Sequence, residues 1–587
     1  MGMSVITISS GDLIPIEKHF RISAGPGAGK TYWLVNHIEN VLQNSNRLGC
    51  YKKIACITYT NIAVETIVKR MDFIADRVEV STIHGFIYAN IIKPYMSFIA
   101  ADYEFDVLRM DGHDEHFISR KKIVEWLNNH PNSSRFAAPY NLQQLTRLDH
   151  NISALGKWLS SIAYTLNGIN IELSIDNSKA FYMDGEVRRN IGVTTCLNKL
   201  LPGLLEYKKL FWKNGVLHHD DVLYFGYILL QKYPFIVRVL RSKFPYFFID
   251  EFQDTSPIQA AILKIIGESE TIVGIIGDKA QSIYSFQGAD PNYFTCFSLP
   301  SIQDYLIADN RRSSIEIINV LNHIRTDIVQ NPIRAANGER VIMYVGDINT
   351  SLDLAREKSD GNLTVLSRDN ITSNALKRQM NSSLPLADLI SSLSNIDERI
   401  RRSTVISSLT AIELAQQKKF KEAIKEMEKN FRGIKDKHER KKIALSKICF
   451  LTSLYLDYKS VPLFNFYELI KEHVKTDMVK LTRGAARQFY DSTTYEQLAV
   501  CIKLADDDSP SRTIHKSKGD EFDNVLVVLR KEADLKFLLQ PPLLSEEQRV
   551  FYVAVSRAKN KLSIYSPTLS ADEEDKIKHL MEVIRIP

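Results

Sequence analysis

An α/β fold with two parallel-sheet cores, each interrupted by a mainly helical insertion, is what this sequence predicts. Three observations carry it. An apolar run, Phe20-Arg21-Ile22-Ser23, feeds a Gly-rich turn and then a helical pattern over residues 32–42. Short apolar runs recur downstream, and each ends in polar or aromatic residues, as buried parallel strands do at the crevice of an open α/β sheet. Two long stretches between them keep helical periodicity with no Gly-rich turn.

The turn is Ala24-Gly25-Pro26-Gly27-Ala28-Gly29-Lys30-Thr31. Glycines let the backbone turn tightly, so that its N–H groups converge on phosphate oxygens at a helix N-terminus. Lys30 would reach the β- and γ-phosphates and the Thr31 hydroxyl would hold Mg²⁺. Ala24 stands where the general pattern has its first glycine.

Next comes Lys53-Ile54-Ala55-Cys56-Ile57-Thr58, a strand ending in Tyr59-Thr60-Asn61. A strand over 77–80 ends in Ser81-Thr82-Ile83-His84-Gly85. Capping and packing would by themselves explain Tyr59 and His84. After a helical stretch, Phe247-Phe248-Ile249 runs into Asp250-Glu251-Phe252-Gln253-Asp254, and a strand over 271–276 delivers Gly277-Asp278 and Gln281. A further strand–helix unit leads from Tyr305 into Asn310-Arg311-Arg312. Sheet signals return at 363–366, 525–529 and 561–565. The boundaries expected are 1–88 with 212–300 for the first core, 89–211 for its insertion, 301–371 with 506–587 for the second core, and 372–505 for its insertion.

An apolar strand ending in Asp-Glu downstream of a phosphate loop supplies the second half of an NTPase site. Asp250 would bind Mg²⁺ and Glu251 would orient and deprotonate the attacking water. Gln281 is placed to sense the γ-phosphate. Arg312 and Arg557 are the candidate cations for charge developing on the transferred group, because a guanidinium stays charged and grips phosphate in two places.

Composition is that of an ordinary globular chain: 587 residues, 44% hydrophobic, 25% charged, net charge +6. That charge permits nucleic-acid binding without requiring it. No apolar run approaches the roughly 18 residues of a membrane span, so no membrane partner is expected, and the scattered cysteines fit a reducing, cytoplasmic location. The six cysteines form no C-x-x-C pair, which argues against a zinc or iron–sulfur site. Over residues 418–447, Lys and Arg outnumber Asp and Glu by more than two to one. A solvated helix face explains this, with nucleic-acid or partner contact as the alternative.

Taken together, Asp309-Asn310-Arg311-Arg312-Ser313-Ser314 and Tyr552-Val553-Ala554-Val555-Ser556-Arg557-Ala558 resemble UvrD/Rep/PcrA-type superfamily 1 DNA helicases. So do Ile57-Thr58-Tyr59-Thr60-Asn61, Ser81 to Gly85, Ile249 to Thr255, Gly277 to Tyr284, Thr513-Ile514-His515-Lys516-Ser517-Lys518-Gly519-Asp520-Glu521-Phe522 and Glu547-Gln548-Arg549. The stretches fall in the family's order from residue 24 to residue 562. The resemblance implies two RecA-like P-loop domains and an ATP-dependent motor on single-stranded DNA, moving 3′ to 5′. It also implies that Lys30, Thr31, Asp250, Glu251, Gln281, Arg312 and Arg557 serve hydrolysis and that Glu521 touches the ribose. Tyr59, Thr60, Asn61, Thr82, His84, Tyr284, Phe286 and His515 would line the DNA track, where aromatic faces stack bases without sequence preference. Single-stranded DNA and duplex with a single-stranded tail are the partners implied.

Three departures stand out. Residues 1–23 contain no glutamine, the residue with which the family reads adenine. Phe286-Gln287 replaces the family's Trp-Arg, and Asp520 replaces a usual leucine. The compact C-terminal end resembles accessory motors such as the helicase subunit of a Gabija-type anti-phage system, which would bring an overcoming-lysogenization-type (OLD-type) nuclease as partner. The other readings are a nucleic-acid-sensing regulatory ATPase that switches such a partner, and a degenerate motor kept as a scaffold.

Overall fold

The computed structural model describes residues 5–71, 76–113, 119–184, 187–285, 288–334, 338–359, 361–378, 388–502 and 509–587. The chain divides into two compact units. One comprises 1–181, 190–363 and 517–587, and the other 182–189 and 364–516.

The first unit contains a seven-stranded sheet. Its strands are β1 (Ile6–Ile8), β2 (Phe20–Ala24), β3 (Ile54–Thr58), β4 (Val78–Thr82), β5 (Tyr246–Ile249), β6 (Ile272–Gly277) and β7 (Gln303–Ile307), in the order β1-β7-β2-β6-β5-β3-β4. Every pairing is parallel, so both faces must be covered. The alternation within β5 shows how. Tyr246 and Phe248 pack with Trp33, Leu34 and Ile38 on one side. Phe247 and Ile249 pack with Phe86, Ile87 and Leu263 on the other. All four β5 residues are buried, which is why that stretch reads as a continuous apolar run.

β7 lies past the boundary expected at residue 300. It hydrogen-bonds along β2, from Gln303 opposite Phe20 to Ile307 opposite Ala24, and therefore completes the first sheet. Pairing across 283 positions left no local mark in the sequence.

Between β4 and β5 the chain is mainly helical, as periodicity predicts, but it also carries two hairpins. Ala163–Asn167 pairs antiparallel with Asn170–Ser174, and Phe181–Asp184 pairs with Val187–Asn190. Gly168, at φ +63°, turns the first hairpin.

The same unit holds four more parallel strands: Val341–Val345, Phe522–Val528, Ala558–Ser566 and Met581–Arg585. The Ala558–Ser566 strand lies between Phe522–Val528 and Val341–Val345, and Val341–Val345 also pairs with Met581–Arg585. The helix Glu546–Val555, which buries Val550, Phe551, Tyr552 and Val553, precedes Ala558–Ser566 and so fixes where Arg557 emerges.

The second unit is largely helical and, among its described residues, contains the parallel strand pair Thr364–Ser367 with Ser511–Thr513. Its helices include Arg399–Gln416, Lys437–Ser453 and Leu463–His473, packed around Leu409, Ile412, Leu451, Phe466 and Tyr490. A buried Glu413 ties this core together. It accepts hydrogen bonds from Arg378 at 2.5 Å and from the Tyr495 hydroxyl at 2.9 Å. Among the described residues no helix is long and apolar enough to cross a membrane.

Candidate active site

The Gly-rich turn joins a strand to a helix, as its sequence predicts. β2 ends at Ala24, and the helix α1 (Lys30–Asn44) begins five residues later. Gly27 and Gly29 adopt φ of +71° and +81°, a left-handed conformation that other residues adopt only under strain. No side chain caps the N-terminus of α1. Its first-turn N–H groups therefore remain available to an anion, at the positive end of the helix dipole. Lys30 is buried, with its ammonium 3.4 Å from the Ala24 carbonyl.

A separate segment seats this loop. The Gln330 amide donates to the Pro26 carbonyl at 2.8 Å, and the Arg311 N–H donates to the Gly27 carbonyl at 2.9 Å. Asn310 donates to Gln330 at 3.2 Å and accepts the N–H groups of Arg312 and Ser313, both at 3.0 Å. A Cβ on Gly25 would lie 2.3 Å from the Gln330 amide nitrogen, and one on Gly27 would lie 2.6 Å from the Asn310 carbonyl oxygen. Close approach therefore favours glycine at both positions, and at Gly27 the left-handed turn does so as well.

β5 delivers Asp250 and Glu251 opposite the loop. The Asp250 N–H bonds the Ile57 carbonyl at 2.8 Å, and the Thr31 hydroxyl donates to Asp250 Oδ2 at 3.4 Å. This hydroxyl–carboxylate pair is a hard oxygen donor set of the kind that suits Mg²⁺. Burial, reinforced by the charge on Glu251, pushes the Asp250 carboxyl up to about 7 against the pull of Lys30. Burial also disfavours charge on Glu251, but Lys30 and Lys518 outweigh it and hold that carboxyl below its usual range. Two neighbouring carboxylates are thus driven apart in acidity. Glu251 sits at φ +56°, a strained conformation for a side-chain-bearing residue, and Gln253 donates a short hydrogen bond to its carboxylate.

From Gln253 a buried chain of polar groups extends outward. Its amide oxygen accepts the Asp278 N–H at 2.9 Å, and Asp278 accepts from the Gln281 amide at 2.7 Å. Arg557 Nη2 then donates to the Gln281 amide oxygen at 2.9 Å. On its other side Asp278 pairs with Arg325 at 2.7 Å. Arg557 is almost fully buried. Desolvation, with Arg312 alongside, brings its guanidinium down to about 9, still cationic at neutral pH. Arg312 donates to the Ser556 carbonyl at 2.8 Å and to Glu521 at 2.6 Å, and its buried Nε has no partner among the described residues. Glu521 also faces Lys559 at 3.5 Å. Arg312 and Lys559 hold its carboxyl low although partial burial opposes them.

The residues expected along DNA fall into two groups. Tyr59 and Tyr284 stack with ring centroids 4.8 Å apart and planes 23° apart, and the Lys518 ammonium lies 4.8 Å from the Tyr284 ring centre. Lys518 also pairs with the fully buried Asp254 and donates to the Gln281 carbonyl at 2.8 Å. Thr60 and Thr82 act as caps, accepting the N–H groups of Ala63 and Gly85 at 3.2 Å each. Asn61 is exposed at the start of the helix Asn61–Met71. His84 lies beside two more imidazoles, with ring centres 5.6 Å from His219 and 6.1 Å from His113. Burial and those neighbours bring it down to about 4. His515 opens a 3₁₀ turn at the edge of the second unit. Phe286 lies outside the described residues.

Sequence reasoning assigned no role to Gln253, Asp278, Asn310, Arg325, Gln330 or Lys518. Gln253, Asp278, Asn310 and Lys518 stand inside the quoted stretches, so their signal was present. Arg325 and Gln330 stand in none, and only polar residues at the end of an apolar helix, Ile315–Ile324, hinted at buried partners.

Family models place this geometry. A model of the UvrD/REP helicase N-terminal domain matches residues 12–299, and one of the UvrD-like helicase C-terminal domain matches residues 302–567. The chain belongs to the UvrD-like helicase family. Its relatives include the Gabija protein GajB of Bacillus cereus, 26% identical over 52% of this chain and 47% of that protein. The ATP-dependent DNA helicase srs2 of Schizosaccharomyces pombe is 28% identical over 47% of this chain and 29% of that one. The ATP-dependent DNA helicase PcrA of Staphylococcus aureus is 28% identical over 24% and 20%. The chain thus aligns with less than half the length of each of these relatives. Arg557 and Gln281 fall in different matched segments, and the two sets of parallel strands lie largely within them, with Ile6–Ile8 and Met581–Arg585 outside, as expected for two RecA-like helicase domains.

Proposed function

We propose that this protein is an ATP-driven translocase and helicase on single-stranded DNA, moving 3′ to 5′, whose ATP hydrolysis is stimulated by DNA. One observation carries the reading. Arg557, from the segment matched by the C-terminal family model, donates at 2.9 Å to Gln281, from the segment matched by the N-terminal one. An arginine that reaches another lobe's phosphate-sensing residue is the arrangement by which lobe closure and hydrolysis are coupled.

In this reading Lys30 and the loop N–H groups hold the triphosphate. Glu251 orients the attacking water and accepts its proton, and Arg312 and Arg557 stabilise charge on the transferred phosphoryl group. Thr31 and Asp250 are the residues that would hold Mg²⁺, which would supply positive charge to the bound triphosphate. Glu521 exchanges its contact with Arg312 for the ribose. A base inserted at Tyr59 and Tyr284 meets an aromatic face whose partner cation, Lys518, also contacts Gln281, which gives DNA a direct path to the hydrolysis site. ATPase assays with and without single-stranded DNA, together with unwinding of 3′- and 5′-tailed duplexes, test this. Turnover indifferent to DNA, with neither duplex opened, would overturn it.

The similarity to the Gabija protein GajB over half the chain favours a second reading, a nucleic-acid-sensing ATPase that switches a partner nuclease of the OLD type in anti-phage defence. Co-expression with the neighbouring genes decides between them. Stable co-purification with a nuclease whose cutting depends on Lys30 supports the second reading, and unwinding of long duplex by the lone protein counts against it.

A further inference from the structure

Asp250 and Glu251 line a small cavity that the hydrolysis scheme does not use. Its volume is about 20 Å³, and Thr58, Tyr59, Asp250, Glu251, Thr255 and Gln259 line it together with the apolar Ile57, Ile83, Ile249 and Leu263. A space of roughly 10–15 Å³ is enough for one water, provided two or more polar groups meet it. Thr58 closes β3 and is 2% exposed, and its hydroxyl has no hydrogen-bond partner among the described residues. An unsatisfied hydroxyl at that depth is disfavoured, and the cavity lies on the same lining as the groups that could satisfy it.

We propose that this cavity binds one structural water, bridging the Thr58 hydroxyl to the Asp250–Glu251 carboxylates, and that Thr58 is thereby a positioning residue for Glu251. Glu251 needs such support. Its backbone is held at φ +56°, and a short contact from Gln253 reaches only one of its carboxylate oxygens. A second hydrogen bond through water fixes the carboxylate in the orientation that meets a nucleophile. β3 supplies the anchor rigidly, because its end is hydrogen-bonded to Asp250 through the Ile57 carbonyl. Tyr59 follows Thr58 directly, so the same strand end carries the aromatic stack and the water-binding hydroxyl.

The inference rests on Asp250 and Glu251 being the hydrolytic carboxylates, and Thr58→Val and Thr58→Ser separate the two claims. Valine keeps the volume and removes the hydroxyl, whereas serine keeps the hydroxyl. Thr58→Val should lower kcat for ATP about tenfold, the size of one lost hydrogen bond to a charged group, with KM within twofold, and Thr58→Ser should restore kcat. A high-resolution crystal structure should show an ordered water within hydrogen-bond distance of Thr58 Oγ1 and a carboxylate oxygen in the parent, and none there in Thr58→Val. An unchanged kcat in Thr58→Val, a serine variant as impaired as the valine one, or a parent site without that water would each overturn it. A protein with the water in place but no DNA-stimulated turnover would instead refute the helicase reading and leave this one standing.

Discussion

Lys518 and Tyr284 face each other with the ammonium 4.8 Å from the ring centre, and the same ammonium pairs with the buried Asp254. One lysine therefore joins an aromatic stack, a buried carboxylate and the Gln281 turn. Asp254 is fully buried, and desolvation pushes its carboxyl up to about 6 even against the pull of Lys518.

Removing the lysine leaves that carboxylate buried without its cation. Lys518→Met should lower unfolding free energy by about 3 kcal/mol, in line with broken buried ion pairs. Asp254→Asn in the same background should recover most of the loss, because the stranded charge is then gone. Chemical denaturation of the four proteins gives the coupling; additive losses would show that the pair is not energetically linked.

Tyr59→Ala and Tyr284→Ala each remove one ring of the stack. Each should weaken binding to single-stranded DNA by about 1–3 kcal/mol, whatever the sequence. Fluorescence anisotropy with labelled oligonucleotides of differing composition measures it, and loss confined to one sequence would contradict a stacking role.

Glu251→Gln should retain nucleotide binding while turnover falls at least about a hundredfold, the low end of what a positioned base contributes. Arg557→Ala should cut kcat by about 10³-fold or more. Single-turnover kinetics with a separate nucleotide-binding assay distinguishes lost chemistry from lost binding.

His37 makes stability depend on acid. Its ring stacks on Trp33 with centroids 4.7 Å apart and lies 5.0 Å from Phe20, and neither ring nitrogen has a partner among the described residues. Burial lowers its pKa from 6.5 to about 3. Between those values the unfolded chain takes a proton that the folded one refuses, so stability falls as pH drops through 6.5 and goes on falling toward 3. At pH 5.5 this group should cost about 1.4 kcal/mol relative to pH 8. His37→Phe should flatten the urea midpoint between pH 5.5 and 7; an unaltered slope would mean that other groups control it.

The Gly-rich loop, the Asp250–Glu251 strand end and the two arginines were legible because each sits in a contiguous stretch whose residue types chemistry dictates. The parallel strands were legible as apolar runs because both sheet faces are covered. What stayed hidden depends on contacts distant in sequence. β7 joins the first sheet through partners near residue 20, and Gln330 seats the loop across 304 positions. The hairpins of the first insertion were masked for a different reason. The Ala163–Asn167 strand alternates exposed and buried positions but buries only Tyr164 fully, too little apolar signal to stand out from surrounding helices.

Every side-chain hydrogen bond described for Arg557 ends on a neutral oxygen: the carbonyls of Val553 and Asp520, the Ser556 hydroxyl and the Gln281 amide. Neutral acceptors orient a guanidinium without discharging it. Under the function proposed above, its field is held in reserve for a bound nucleotide, and a triphosphate would draw on it more strongly than a diphosphate. The residue that accelerates cleavage would then also loosen its hold once cleavage is done, which makes product escape, and not only bond breaking, a property of the same side chain.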